Sequence, residues 1–172
     1  MLWVTRSRIR VNRAATGWLI RRFIDPDAMF RFVDPDQVAS VQRDHCATGF
    51  DAPGARYPHK DGLGRCSFEA LVEEHQPWDP ALRRLALIVH CADFPDQLRT
   101  LGRRAAGSIG TLDRVSLAED QDQGATASLE AVGLRAISYG FPLVAADDLE
   151  TLERSAFLYD SLYAALQDRQ VR

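Results

Sequence analysis

Lysine is almost missing from this chain of 172 residues: Lys60 is the only one among 21 lysines and arginines. Positive charge is therefore carried by guanidinium groups, whose planar, forked donors suit oxyanions better than an ammonium does. Cysteine is scarce as well. Cys46, Cys66 and Cys91 lie far apart and form no CxxC pair, which argues against a disulfide framework or a zinc ribbon. No apolar run is long enough to span a bilayer, and the N-terminal MLWVTRSRIRVNR lacks the apolar core of a signal peptide; the expected location is the cytoplasm, away from membranes. A net positive charge is lacking too. At −3 overall the chain offers no general attraction to a polyanion, so direct nucleic-acid binding is not expected. No GxSxG elbow, P-loop, HExxH motif or GxGxxG with a following acidic residue stands in a suitable context, and the motifs assign no reaction.

What is present is enough apolar material, 46% of the residues, to bury a core as one domain over 1–172. Leu2 to Arg6 reads as a short strand. Asn12 is a suitable N-cap for a helix carrying Ala15, Trp18, Leu19 and Phe23, stopped by Asp25 and Pro26. Phe30 to Val33 reads as a second strand, and Asp34-Pro35 opens a short helix with Val38 and Val41. From Asp44 to Arg65 the chain is polar and rich in glycine and proline, with hints of strand at Gly49-Phe50 and Arg56-Tyr57; ordered loops of this length are often functional. Ser67 can cap a helix through Phe68, Leu71 and Val72, and Asp79-Pro80 opens another that buries Leu82, Leu85, Ala86 and Val89. Pro95 to Gln123 is interrupted by Gly102, Gly107 and Gly110 and ends in DQDQG, so 95–130 is left without boundaries and read as containing a flexible connection. A helical pattern returns over 125–139, with Gly140 and Pro142 as its stop, and Asp147 with Glu150 resembles a capping box for the last helix. The expectation is a mixed, helix-rich α/β fold, a small sheet of short strands covered by about six helices.

The candidate chemistry gathers near the first strand. A β-α turn brings Arg6, at the strand end, and Arg13, at the helix start, to one sheet edge. A cation at a helix N-terminus is unfavourable unless an anion or carboxylate is near. Two readings stand: an anion site, or ion pairs to a carboxylate such as Asp25 or Asp51. The segment from Asp51 to His59 and the nearby Arg65-Cys66-Ser-Phe-Glu69 collect two carboxylates, an imidazole and a thiol. His59, Asp51, Glu69 and Cys66 could hold a transition-metal ion, although no known ligand spacing is present. Cys66 reads equally as a small buried residue at a helix start. His45-Cys46 and His90-Cys91 are adjacent pairs whose side chains cannot face one another on a helix, and they read as incidental. Asp160, among aromatics on the last helix, calls for an arginine partner or a ligand.

The runs Trp3-Val-Thr-Arg6, Asn12-Arg13-x-Ala15 and Trp18-Leu-Ile-Arg-Arg-Phe-Ile-Asp25 resemble the opening of the C-terminal domain of the ChrB family of chromate-resistance proteins. The similarity continues through Phe50-Asp-x-Pro-Gly54, His59, Arg65-Cys-Ser-Phe68 and Asp79-Pro-Ala-Leu82, and resumes at Ala136 to Gly140 and Asp147 to Tyr163, with least support at about 95–130. The resemblance implies a cytoplasmic domain that senses or handles chromate, while a separate N-terminal part of the family binds DNA. Carried over by position, it singles out Arg6, Arg13 and His59 for oxyanion response. It also implies a histidine in many relatives where Leu149 stands, so a metal site using it would be altered here. Three readings follow: a domain that binds a small inorganic anion of the chromate, sulfate or phosphate type; a metal-dependent enzyme of redox or oxyanion detoxification; and an interaction module without small ligand. A homodimer or a separate regulatory partner is compatible with each.

Overall fold

The computed structural model describes residues 1–94 and 129–171. The connection expected between Pro95 and Gln123 lies outside them. Among the described residues the chain forms a three-stranded parallel sheet and six α-helices, a mixed α/β fold dominated by helix.

Strand β1 (Leu2–Arg6) is central, flanked by β2 (Met29–Val33) and the two-residue β3 (Thr48–Gly49) in the order β2-β1-β3. Both pairings are parallel, with Trp3 opposite Phe30 and Thr48. Parallel neighbours need crossover helices. The first is α1 (Val11–Leu19), prolonged by a π-helical turn (Ile20–Ile24), and the second is α2 (Val38–His45). Successive residues of β1 point to opposite faces: Trp3 joins the large core with Ala15, Leu19 and Phe50, whereas Val4 joins a small cluster with Val38, Ala47 and Ala52. The sheet is thus covered on both faces, and its central strand carries apolar side chains to each.

Four further helices enlarge the main core: α3 (Ser67–His75), α4 (Pro80–Asp93), α5 (Leu129–Val144) and α6 (Asp148–Val171). Helix α1 is buried from Val11 to Leu19 except at Arg13, because α3, α4, α5 and α6 all pack around it. Gly17 is what lets α6 come close: a methyl group there would stand 2.6 Å from Leu152 Cδ1. Trp18 lies among Phe23, Tyr159 and Tyr163, with ring centroids 5.5 to 5.9 Å away. The buried Tyr159 hydroxyl donates to the Val11 carbonyl at 2.9 Å. Asp148 grips the turn before α1, accepting the Arg8 and Ile9 amides at 2.9 and 2.7 Å.

Several local expectations are corrected. Asn12 does not cap α1; it lies inside the helix, and its buried side chain turns toward the sheet edge. The α3 cap is Cys66 rather than Ser67, with the Glu69 amide donating to its sulfur and the Glu69 carboxylate accepting the Cys66 amide at 2.7 Å. Helix α2 begins at Val38, after a turn over Asp34 to Gln37. Gly140 and Pro142 do not stop α5, which runs to Val144; burial of Phe141 keeps that end on the core. Asp79 caps α4 as expected, accepting the Leu82 amide at 2.9 Å. Asp147 likewise accepts the Glu150 amide at 2.8 Å.

Leu152 is 2% exposed and fills the seam opposite Gly17. Leu152→Ala is expected to lower the unfolding free energy by about 2–5 kcal/mol, the range for a truncated core leucine. Urea denaturation followed by circular dichroism measures this, and a loss below about 1 kcal/mol would show that α6 is not anchored through this seam.

Candidate functional site

In the order β2-β1-β3, the crossover from β1 turns to one side and the chain then passes to the other, so the carboxyl ends of β1 and β3 open onto a switch point, where parallel sheets commonly form ligand crevices. Arg6 ends β1, and Asp51 follows β3. The Asp51 backbone is tied down: its amide donates to the Tyr57 carbonyl at 2.7 Å, and it adopts a left-handed φ of 50°. That conformation is uncommon for a residue with a side chain, and aspartate is among those that tolerate it best.

The Asp51 carboxylate, only 2% exposed, is the hub. Arg6 donates through Nε to the Asp51 carbonyl at 2.6 Å and through Nη2 to Oδ2 at 3.0 Å. Arg13 Nη1 reaches the same oxygen at 3.3 Å, Asn12 Nδ2 donates to Oδ1 at 2.9 Å, and His59 Nδ1 lies 2.6 Å from Oδ1. Of the two carboxylates considered for the arginines, Asp51 takes both. Asp25 instead pairs with the N-terminal ammonium at 2.6 Å and accepts from the Trp3 indole. Arg6, Arg13 and His59 therefore do converge, around a carboxylate that already carries part of their charge.

Asp93, at the end of α4, completes the cluster, with Oδ2 3.4 Å from His59 Nδ1. Burial raises its carboxyl to about 6, and the charge of Asp51 adds to the rise. Burial pushes Asp51 upward too, but the His59 hydrogen bond and the charges of Arg13 and Arg6 outweigh it and hold the group below its ordinary value. His59 is raised, chiefly by its hydrogen bond to Asp51. Two buried atoms of this cluster, Arg13 Nε and Asp93 Oδ2, have no hydrogen-bond partner among the described residues. One is a donor and one an acceptor, and buried orphans of this kind are uncommon.

The four residues considered for a metal do not form one set. Asp51 and His59 group with Asp93, their donor atoms within 4.8 Å of one another, whereas Cys66 and Glu69 group with His90 under the same limit. Asp93 and His90 were not among the expected site residues; by sequence His90 is half of an adjacent pair with Cys91 that reads as incidental. The usable signal was the spacing of His90 and Asp93 three residues apart, which places both on one face of α4. Phe94 links the two clusters, its ring centroid 5.2 Å from that of His59 and 4.5 Å from that of His90. Asp160 is half exposed; it accepts the Trp18 indole N–H at 3.0 Å and pairs with Arg22 at 3.4 Å, the arginine partner its position called for.

A family model described as "ChrB, C-terminal domain" matches residues 3–127. The chain belongs to this family. The Protein ChrB of Cupriavidus metallidurans is 31% identical over 163 residues, an alignment covering 94% of this chain and 39% of that protein. The chain thus spans about two fifths of the length of the curated relative it matches, and no solved structure matches it. The ChrB domain match includes Arg6, Arg13, Asp51, His59 and Asp93. No helix among the described residues is long and apolar enough to cross a membrane.

The raised Asp93 carboxyl has a signed consequence. In the folded chain Asp93 holds its proton up to about pH 6, while in the unfolded chain it loses it near 3.8. Its contribution is therefore full below the unfolded value and lost as pH rises through the folded one. Asp93→Asn is expected to match the parent in stability near pH 4 and to exceed it by on the order of 2 kcal/mol near pH 7. Urea denaturation across that range checks it. A difference between variant and parent that stays constant with pH would contradict the shift.

Proposed function

We propose that this ChrB-family domain serves chromate resistance by binding a tetrahedral oxyanion at the Arg6, Arg13 and His59 cluster. The observation that carries the reading is the meeting of two guanidinium groups and an imidazole on one buried carboxylate, with a guanidinium N–H of Arg13 left unpaired among the described residues. Two guanidinium groups and a protonated imidazole exceed the charge of Asp51, and the excess grows when Asp93 is protonated. Asp51 holds the donors in place before any ligand arrives, so less ordering is required on binding. Charge-assisted donors in a partly buried site are the ordinary means of holding such an anion.

Chromate, sulfate and phosphate share shape and charge class, and the family makes chromate the first to test. A second reading, a metal-dependent enzyme, draws on the close approach of Asp51, His59 and Asp93; the adjacent Arg6 and Arg13 oppose a cation there. If the arginines serve only as ion-pair partners of Asp51, the domain is an interaction module.

Isothermal titration with chromate, sulfate and phosphate is expected to give saturable heat for the parent chain and roughly tenfold or weaker binding for Arg13→Ala. Sulfate, which keeps its charge over the range, should bind more tightly at about pH 5.5 than at about pH 8, because protonating His59 adds a positive charge and protonating Asp93 removes a negative one. Equal or absent heats for parent and variant would remove the anion reading, and metal bound at stoichiometry that is lost in His59→Gln would favour the second.

A further inference from the structure

We infer that Cys66, Glu69 and His90 form a binding site for a thiophilic divalent cation, with zinc the best match. The site is separate from the arginine cluster and does not depend on the oxyanion reading. Cys66 is fully buried, and the Glu69 and His90 side chains are 17% and 12% exposed. Their sulfur, carboxylate oxygen and imidazole nitrogen lie within 4.8 Å of one another. Three different donor chemistries meet below the surface, where packing alone would favour apolar side chains.

The backbone fixes two of the donors. Cys66 is the N-cap and Glu69 the third residue of α3, so the capping contacts bring sulfur and carboxylate to the same side of one turn. The third donor comes from the last turn of α4, where His90 Nδ1 lies 2.6 Å from Glu69 Oε2. A tetrahedral zinc ion places neighbouring donors about 3.3 to 3.7 Å apart, given bond lengths of ~2.0 Å to nitrogen and oxygen and ~2.3 Å to sulfur. The imidazole and carboxylate would separate by somewhat under an ångström, and the sulfur would move in by no more than about one and a half.

The charge also balances. A thiolate and a carboxylate neutralise a divalent ion, and the mixture of thiolate, imidazole and carboxylate is the borderline set that zinc accepts, whereas calcium and magnesium require oxygen alone. Burial and the nearby Glu69 charge keep the Cys66 thiol protonated in the metal-free chain. Binding therefore exchanges a proton for the ion: the thiol proton leaves to solvent, and no redox change occurs. Three protein donors leave a fourth position for water or another ligand.

The test uses the whole chain, reduced and metal-free, titrated with cobalt(II) as the probe. One equivalent should produce the near-ultraviolet band of thiolate-to-cobalt charge transfer and the visible bands of a tetrahedral ion, and zinc should bleach both. Cys66→Ser should abolish the charge-transfer band and His90→Gln should weaken cobalt affinity at least tenfold, whereas His59→Gln and Cys46→Ser should leave the spectrum unchanged. X-ray absorption of the zinc-loaded parent chain should find one sulfur with nitrogen and oxygen neighbours, which keeps the test valid if Cys66→Ser fails to fold. A sulfur-free shell, a charge-transfer band that survives Cys66→Ser, or a spectrum lost in His59→Gln would overturn the site.

Discussion

The structure depends on one buried carboxylate. Asp51 takes hydrogen bonds from Arg6, Asn12 and Arg13 and stands beside His59, and these residues come from β1, α1 and the loop after β3. Removing a charge from water costs several kcal/mol unless it is paired and hydrogen-bonded. Asp51 meets that condition only when the sheet edge, the first helix and the loop are all in place. The same requirement runs the other way: without Asp51, two guanidinium groups and an imidazole would crowd one partly buried spot. Folding and the assembly of the cationic cluster are therefore one event.

The helix at the centre of the core serves the same end. Helix α1 buries nearly its whole circumference, yet it keeps two polar side chains, Asn12 and Arg13, aimed at the sheet edge. Asn12 Oδ1 also accepts from the Ser67 hydroxyl and the Phe68 amide. One amide group thus joins the Asp51 cluster to the first turn of α3, where Cys66 and Glu69 reside. Helix α4 makes a parallel connection at its other end through His90, Asp93 and Phe94. The two clusters of titratable groups are neighbours with shared supports rather than independent decorations of the surface.

Much of this was legible in the residues where the cause is local. The β-formers of Leu2 to Arg6 mark the central strand; Asp79 before Pro80 marks a helix start because proline presets its φ and the carboxylate meets an unpaired amide. The proximity of Arg6 and Arg13 follows from a β-α turn, which sequence spacing can anticipate. Asn12 was misread because a good capping residue just before an apolar run looks the same whether its side chain turns to its own helix or to a carboxylate 39 residues away. His90 and Asp93 became partners of the two clusters only through the packing of α4 against α1 and α3. The choice between Asp25 and Asp51 likewise hung on the parallel pairing of both neighbours with β1, which leaves Asp25, before β2, at the amino edge beside Met1 and brings Asp51, after β3, to the carboxyl edge beside Arg6. Pairing across a sheet is a non-local fact, and no single window of the chain contains it.

Asp148 holds two consecutive backbone amides of the turn that leads from β1 into α1, although 140 residues separate it from Arg8. That grip pins the turn between Arg6 and Arg13 to the first residue of the last helix. The two guanidinium groups thus stand on either side of a backbone segment braced by a carboxylate from the other end of the chain, and loss of the Asp148 side chain would leave two amides of that turn without their acceptor.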